Sequence, residues 1–341
     1  MRLYSTIICH KLPGFSKEVH ILNRSKQGAM NTWRHVLTMK KGDAIVVNGA
    51  LGFREKLFDL WLAIFLATFR SSVGILISDT TWHPRTVPKE SRSGSLYPIY
   101  SWIQKRMLMF CESPNTHYCF LSKSEVDIFI AETGIDKDRV HFTKFCTQLP
   151  QDNLEQLLEI SKIEKNKKYI FSGGNSLRDY DILLKAVSGL NIKTLIASSN
   201  KHVYDPTYVD FKYLNEKAYF EAMAASEVVV VPLIATDKRS VGQQTYLNSM
   251  ALGKLTIISD VSGVRDHLDP NIHALLVPPG DANALRKTIA WALDVKNKDE
   301  VNLIAKSGQQ LTEMMTFAHY SSNLGSLLET IAAGIPHNKN H

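Results

Sequence analysis

The sequence predicts an α/β protein made of two Rossmann-like domains, and three observations carry that prediction. The chain has 341 residues, more than one ordinary hydrophobic core uses and enough for two domains. Short β-branched runs alternate with longer helical patterns, which implies parallel sheets. Polar loops bearing glycine follow several of these runs at their carboxyl ends, where open α/β sheets bind ligands.

In the first half, residues 4–9, 44–48, 74–78 and 116–121 read as strands, with another around Val140. Helices are expected over 32–39, 55–70, 98–110 and 124–132. Residues 1–150 make the first domain. The polar stretch 151–167, with Lys162, Lys165 and Lys167, reads as a linker with a helical start. The second domain covers 168–316. Its first strand, 168–172, runs into Gly173-Gly174, and a helix follows over 179–187. Residues 194–197 and 208–211 are short strands, and Asn215 opens a helix over 216–225. Glu227-Val228-Val229-Val230-Val231-Pro232 is a buried parallel strand stopped by proline. The polar loop 233–242 precedes a helix over 243–252, which Gly253 closes at C′. Residues 255–259 form the next buried strand, 260–265 leave its carboxyl end, and 273–281 lead into a helix. The tail 317–333 is helical, and disorder is expected over 336–341.

Three motifs in the second half fall in order at matching spacing. They are Gly242-Gln243-Gln244-Thr245-x-Leu247-x-x-Met250-Ala251-x-Gly253-Lys254, then Ser259-Asp260-Val261-Ser262-Gly263-Val264-Arg265-Asp266, then Leu275-Leu276-Val277-Pro278-Pro279-Gly280-Asp281. As a linked set they resemble the nucleotide-sugar half of a GT-B glycosyltransferase of family 4 type. The resemblance covers 165–330 well and 1–150 only loosely. It implies two facing Rossmann-like domains with an inter-domain cleft, the first for the acceptor and the second for the donor. The tail, 317–341, would then cross back to the first domain. The implied reaction moves a hexose, glucose foremost, from UDP-glucose or a similar nucleotide sugar to a glycan or polyprenyl-linked acceptor in polysaccharide biosynthesis. Retention of configuration, no metal and no other cofactor are implied with it.

Several residues gain roles from this resemblance. Gly173 and Gly174 let the backbone approach a ligand, and Arg178 stands near the next helix start, where a guanidinium and free N–H groups grip a diphosphate. The family's usual lysine is here Arg178. The helix opening at Gln243 aims a positive dipole end at the same ligand, placing Ser240, Val241, Gly242, Gln243, Gln244 and Thr245 beside the donor. Lys238 and Arg239, just before this turn, read either as solvated loop residues or as charge partners of the leaving diphosphate. The family's two glutamates, separated by seven residues, map to Ser240 and Asn248, both uncharged. Asn248 can still hydrogen-bond a ribose, and Ser240 a sugar hydroxyl. The turn Ser240-x-Gly242-Gln243-x-Thr245 resembles a known subgroup. The missing carboxylates nonetheless leave two alternatives open: a nucleotide-sugar epimerase of the same architecture, and a non-catalytic glycosyltransferase-like subunit.

In the first half, Ile77-Ser78-Asp79-Thr80-Thr81-Trp82-His83-Pro84 follows a strand and gathers a carboxylate, hydroxyls, an aromatic face and an imidazole. Asp79 and His83 are the candidate catalytic groups, and Trp82 is placed to stack on a sugar ring. The competing reading makes Asp79 a cap and His83 structural. Gly49 follows another strand and is a candidate for close approach to the donor, while His10 and Lys11, with Gly14, are candidates for the acceptor side. Asp136-Lys137-Asp138 has the spacing of a metal signature but sits in a turn, so no metal is expected.

Bulk composition narrows the remaining classes. Hydrophobic residues make up 44% against 21% charged, which describes a globular chain with ample apolar surface to bury. A net charge of +7 favours anionic partners. No nucleic-acid motif with interleaved aromatics accompanies it, so nucleic acid is not expected as a partner. Cys9, Cys111, Cys119 and Cys146 lie far apart and read as reduced core thiols of a cytoplasmic protein. No signal peptide is read at the N-terminus. The apolar stretch 57–69 is too short to span a bilayer and carries Asp59. With Arg54, Lys56 and Arg70 at its ends, it reads as a packed core helix or as a peripheral contact on the inner face of the membrane. Arg92, Lys105 and Arg106 near Tyr97, Tyr100 and Trp102 make a second such candidate. A monomer is expected.

Overall fold

The computed structural model describes residues 1–7, 19–22, 29–49, 56–80, 97–163, 169–199, 202, 204–235 and 239–334. The chain divides into two compact units, one of residues 1–143 with 318–341 and one of residues 144–317.

The first unit holds β1 (Leu3–Ser5), β2 (Val19–Ile21), β3 (Ala44–Asn48), β4 (Gly74–Ser78), β5 (Thr116–Phe120) and β6 (Val140–Phe142). All pair in parallel, in the order β2-β1-β3-β4-β5-β6. Its helices include α1 (Ala29–Thr38), α2 (Lys56–Phe69), α3 (Tyr97–Phe110) and α4 (Lys123–Thr133). Alternate strand residues Ile45, Val47, Ile75 and Ile77 share one core with Val36, Leu62, Leu108 and Phe129 of these four helices. The four therefore cover one sheet face, as right-handed crossovers stepping the same way require.

The second unit opens with α5 (Leu154–Ile163) and continues through β7 (Tyr169–Gly173), α6 (Tyr180–Val187), β8 (Lys193–Ala197), β9 (Val209–Lys212) and α7 (Glu216–Ala225). Then come β10 (Val228–Val231), α8 (Gln243–Ala251), β11 (Leu255–Ser259), β12 (Leu275–Val277), α9 (Ala282–Leu293) and α10 (Lys298–Glu313). Its sheet, β12-β11-β10-β7-β8-β9, is also parallel. The all-valine β10 is buried throughout because both sheet faces are covered. Val229 and Val231 face a core with Met223 and Met250, while Val228 and Val230 face one with Leu183 and Ile289. The last helix, α11 (Phe317–Ala333), belongs to the first unit from Ala318 onward. Ile331 approaches so closely that a Cβ on Gly74 would lie 2.6 Å from its Cγ2.

The α/β class and the alternation hold in both units. Differences lie in short or polar elements. Residues 151–163, the described part of the stretch 151–167 read as a linker with a helical start, begin with a 3-10 turn and continue into α5, whose Leu157 is buried in the second unit's core. The sequence pattern passed over β2, β12 and α10. Two of these are three-residue strands, too short for any periodicity to register. The predicted strand 4–9 is observed as Leu3–Ser5, and residues 8–9 lie outside the described residues. So do 336–341. Cys111, Cys119 and Cys146 are buried, whereas Cys9 is outside the described residues.

Candidate functional site

In the second unit, β7 and β10 lie side by side where the strand order reverses, and their carboxyl ends frame a crevice of the kind that binds ligands. The loops leaving the two strands are stitched together. Arg178 and Leu233 form an isolated antiparallel bridge, Asp179 N donates to Pro232 O at 3.0 Å, and Ile234 N donates to Leu177 O at 3.1 Å. Asp179 also caps α6, its carboxylate accepting from Ile182 N. This frame places Arg178 beside the start of α8.

The Arg178 guanidinium donates to three neutral oxygens: Gly173 O at 3.0 Å, Ser176 O at 2.8 Å and Thr245 Oγ1 at 2.8 Å. Among the described residues it forms no ion pair with a carboxylate. Burial pulls its pKa below the ordinary arginine value, partly countered by the Tyr180 and Tyr219 phenols. A guanidinium nonetheless stays charged. Gly174 has a φ of 107°, and a Cβ there would sit 2.8 Å from Arg178 Nη2, so only glycine leaves room for this arginine.

Gly242, with a φ of 84°, is the N-cap of α8 and offers no side chain to its orphan N–H groups. Thr245 N and Tyr246 N turn back to Gly242 O, while Gln243 and Gln244 at the helix start have no intrahelical acceptor. Gln243 is buried, and its Nε2 has no hydrogen-bond partner among the described residues. Thr245 and Ser240 are buried beside it, whereas Val241 turns its side chain into the core, leaving only its backbone for a ligand. Arg239 is half-buried, and Lys238 lies outside the described residues.

Asn248 is placed otherwise than the sequence suggested. It is 1% exposed, and its Oδ1 accepts from Gln148 N at 2.7 Å. One end of the amide expected to meet a ribose is thus engaged by the backbone. Its neighbour Gln244 donates from Nε2 to Gln148 Oε1 at 2.8 Å. Buried His267 accepts from Phe145 N at Nε2 and meets Gly263 O at Nδ1, so Nδ1 carries the proton. Burial lowers its pKa from the usual histidine value.

Tyr219 joins the site without a signal in the sequence. Its ring fills the space over Gly173, where a Cβ would lie 2.5 Å from Cε2. Burial raises its phenol's pKa, while the nearby Arg178 charge and a hydrogen bond with Thr245 pull it down.

In the first unit, Asp79 follows β4 with a φ of 48°, a left-handed backbone that costs strain outside glycine and gathers at functional sites. Thr80 N donates to Cys119 O beside it, and Gly49 N donates to Ser78 O at 2.7 Å. The strand order reverses between β1 and β3, and there the buried Asp59 of α2 accepts from Thr6 Oγ1 at 2.7 Å and Asn48 N at 2.9 Å. The sequence showed this acid only as an interruption in an apolar run. His10, Lys11, Trp82 and His83 lie outside the described residues. Asp136 caps a 3-10 turn, its Oδ1 accepting from Asp138 N. Among the described residues, no three His, Cys, Asp or Glu side chains converge as a metal ion needs.

Residues 207–294, from the β9 region to the end of α9, match the family model described as Glycosyl transferases group 1. No curated protein matches the chain by sequence. Sucrose-phosphate synthase from Thermosynechococcus elongatus is similar in structure, with a TM-score of 0.62 at 15% identity, over 94% of this chain and 86% of that one. HepE of Anabaena, solved in complex with UDP, gives a TM-score of 0.61 at 14% identity over 92% and 86%. A glycosyltransferase from Rickettsia africae gives 0.60 at 14% over 92% and 85%. At such identities the likeness shows the fold, and that fold is GT-B, each unit carrying a six-stranded parallel sheet.

Proposed function

We propose that this glycosyltransferase, whose second unit carries the group 1 segment, transfers a hexose from a UDP-sugar to a glycan or lipid-linked hydroxyl in polysaccharide biosynthesis. UDP-glucose is the first donor to test, since HepE was also solved in complex with UDP-glucose. Arg178 carries the reading: a half-buried cation held by neutral oxygens at the mouth of α8, which a diphosphate would complete. The Gln243 and Gln244 N–H groups and the Gln243 amide would add donors to the same phosphates.

In transfer, the bond from the sugar's anomeric carbon to the diphosphate oxygen breaks, and its electron pair leaves with UDP. Arg178 and the α8 dipole stabilise that charge, so no metal ion is required of the proposal. The acceptor hydroxyl bonds to the anomeric carbon and gives its proton to a phosphate oxygen, with retention. Should the reaction invert, Asp79 is the leading base.

Calorimetric titration without added metal, against UDP, UDP-glucose, UDP-N-acetylglucosamine and GDP-mannose, tests the donor site. Binding of UDP and one UDP-sugar is expected, and silence from all four would overturn the reading. The non-catalytic alternative draws support from Asn248, whose oxygen is tied to Gln148. Donor consumption separates the alternatives: a transferase releases UDP faster when acceptor is added, an epimerase converts donor alone without releasing UDP, and a scaffold does neither.

A further inference from the structure

The outer side of the first unit's helical layer is built against the usual rule. Helices that cover a sheet turn an apolar stripe inward and a polar face to water. In α2, Trp61 and Phe69 point outward at 58% and 70% exposure, with the half-buried Phe65 between them at i+4. Alongside it, α3 exposes Ile99, Trp102, Ile103 and Phe110, with Trp102 at 61% and Phe110 at 66%. Trp33 of α1 packs edge-on against Phe65, and exposed Leu37 extends the surface there. Large aromatics in such numbers on neighbouring helices mark an interaction surface.

The charges these helices carry are mostly basic. Across α1, α2 and α3 the only acid is Asp59, and it is buried at the sheet. Exposed Arg34, Arg70, Lys105 and Arg106 stand among the apolar side chains. Arg70 is anchored by donating to Leu37 O, Lys105 meets Glu132 of α4, and the Arg106 guanidinium lies 5.6 Å from the Trp102 ring. Tryptophan and phenylalanine flanked by arginine and lysine suit the boundary between headgroups and acyl chains. No helix among the described residues is long and apolar enough to cross a bilayer.

We infer that the outward faces of α2 and α3 dock this chain on an anionic membrane surface, with Trp61, Phe69, Trp102 and Phe110 entering the interface and Arg34, Arg70 and Arg106 meeting lipid phosphates. Docking does not depend on the donor reading, because the two properties sit in different units and are measured apart.

The test is co-sedimentation of the whole chain with vesicles of phosphatidylcholine mixed with phosphatidylglycerol, against vesicles of phosphatidylcholine alone. Tryptophan quenching by acyl-brominated lipids is read on the same samples. Binding to the anionic vesicles, weakened by salt and accompanied by quenching, is expected. The double variant Trp61→Ser, Trp102→Ser should abolish quenching and binding, and Arg106→Glu should weaken binding about fivefold or more. These side chains are exposed, so UDP affinity and the thermal midpoint serve as folding controls. No binding to anionic vesicles, or binding that both variants retain, overturns the inference. Self-association lost in the tryptophan variant, without vesicle binding, also overturns it and makes the face a contact between copies.

Discussion

Asn248 Oδ1 accepts the backbone N–H of Gln148 at 2.7 Å, tying α8 to the segment with which the chain enters the second unit. The same segment is held by Gln244 on Gln148, by His267 on Phe145, and by Met315 O, which accepts from Thr147 N. The helix proposed to face the donor is thereby also the anchor of the chain's entry into this unit.

Replacing Asn248 with Ala should therefore act on stability. Leaving the Gln148 N–H without its acceptor costs about 1–3 kcal/mol. Denaturant titration should show the loss, with UDP affinity close to that of the parent. A variant that keeps its stability and loses UDP binding would restore the ribose role to Asn248.

Arg178→Ala should weaken UDP binding by about 10- to 100-fold, the usual worth of charged hydrogen bonds at ~1.5–3 kcal/mol. Circular dichroism should show the fold intact. Arg178→Lys should recover only part of the affinity, since lysine restores the charge but not the fork that reaches Gly173, Ser176 and Thr245. Unchanged affinity in the alanine variant would remove Arg178 from the site.

His267 should make stability depend on pH. Its folded pKa lies below the ordinary 6.5, because burial disfavours the charged ring. As pH falls through 6.5 the unfolded chain takes up a proton that the folded chain still refuses, so the unfolded state gains. The contribution is complete above that pH and declines below it towards the lowered folded pKa. Denaturation midpoints measured from neutral to mildly acid pH should fall, and His267→Gln should flatten the slope. An unchanged slope would assign the loss to other groups.

Asp79→Asn should lower turnover by about a hundredfold with donor affinity kept, the scale of a lost general base or sugar-orienting group. Asparagine is the apt probe, since it tolerates the left-handed backbone that Asp79 adopts. Full activity would make Asp79 structural, and Asp79→Gly should then raise stability by relieving the strain.

Much of the second unit could be read from the letters. Val228–Val231, ended by Pro232, and Gly242 followed by an uncapped helix are local signals, and they appear as β10 and α8. Gly174 and Arg178 were legible as a glycine and a nearby cation. Tyr219, Asp59 and the inward turn of Asn248 were not, because nothing local distinguishes a tyrosine, an acid or an amide that will meet a partner far along the chain. The outward stripe on α2 read first as core and only second as membrane surface, since an apolar helix shows which residues are oily and not which side the sheet covers.

Sequence alone determined the α/β class and most strand and helix positions, and it nominated the donor-side candidates, because periodicity, caps and turn residues act over a few positions. Tertiary structure alone decided which of those residues meet. Arg178 reaches Thr245 because β7 and β10 are neighbours in the sheet, and strand order is set by crossovers that no local pattern encodes.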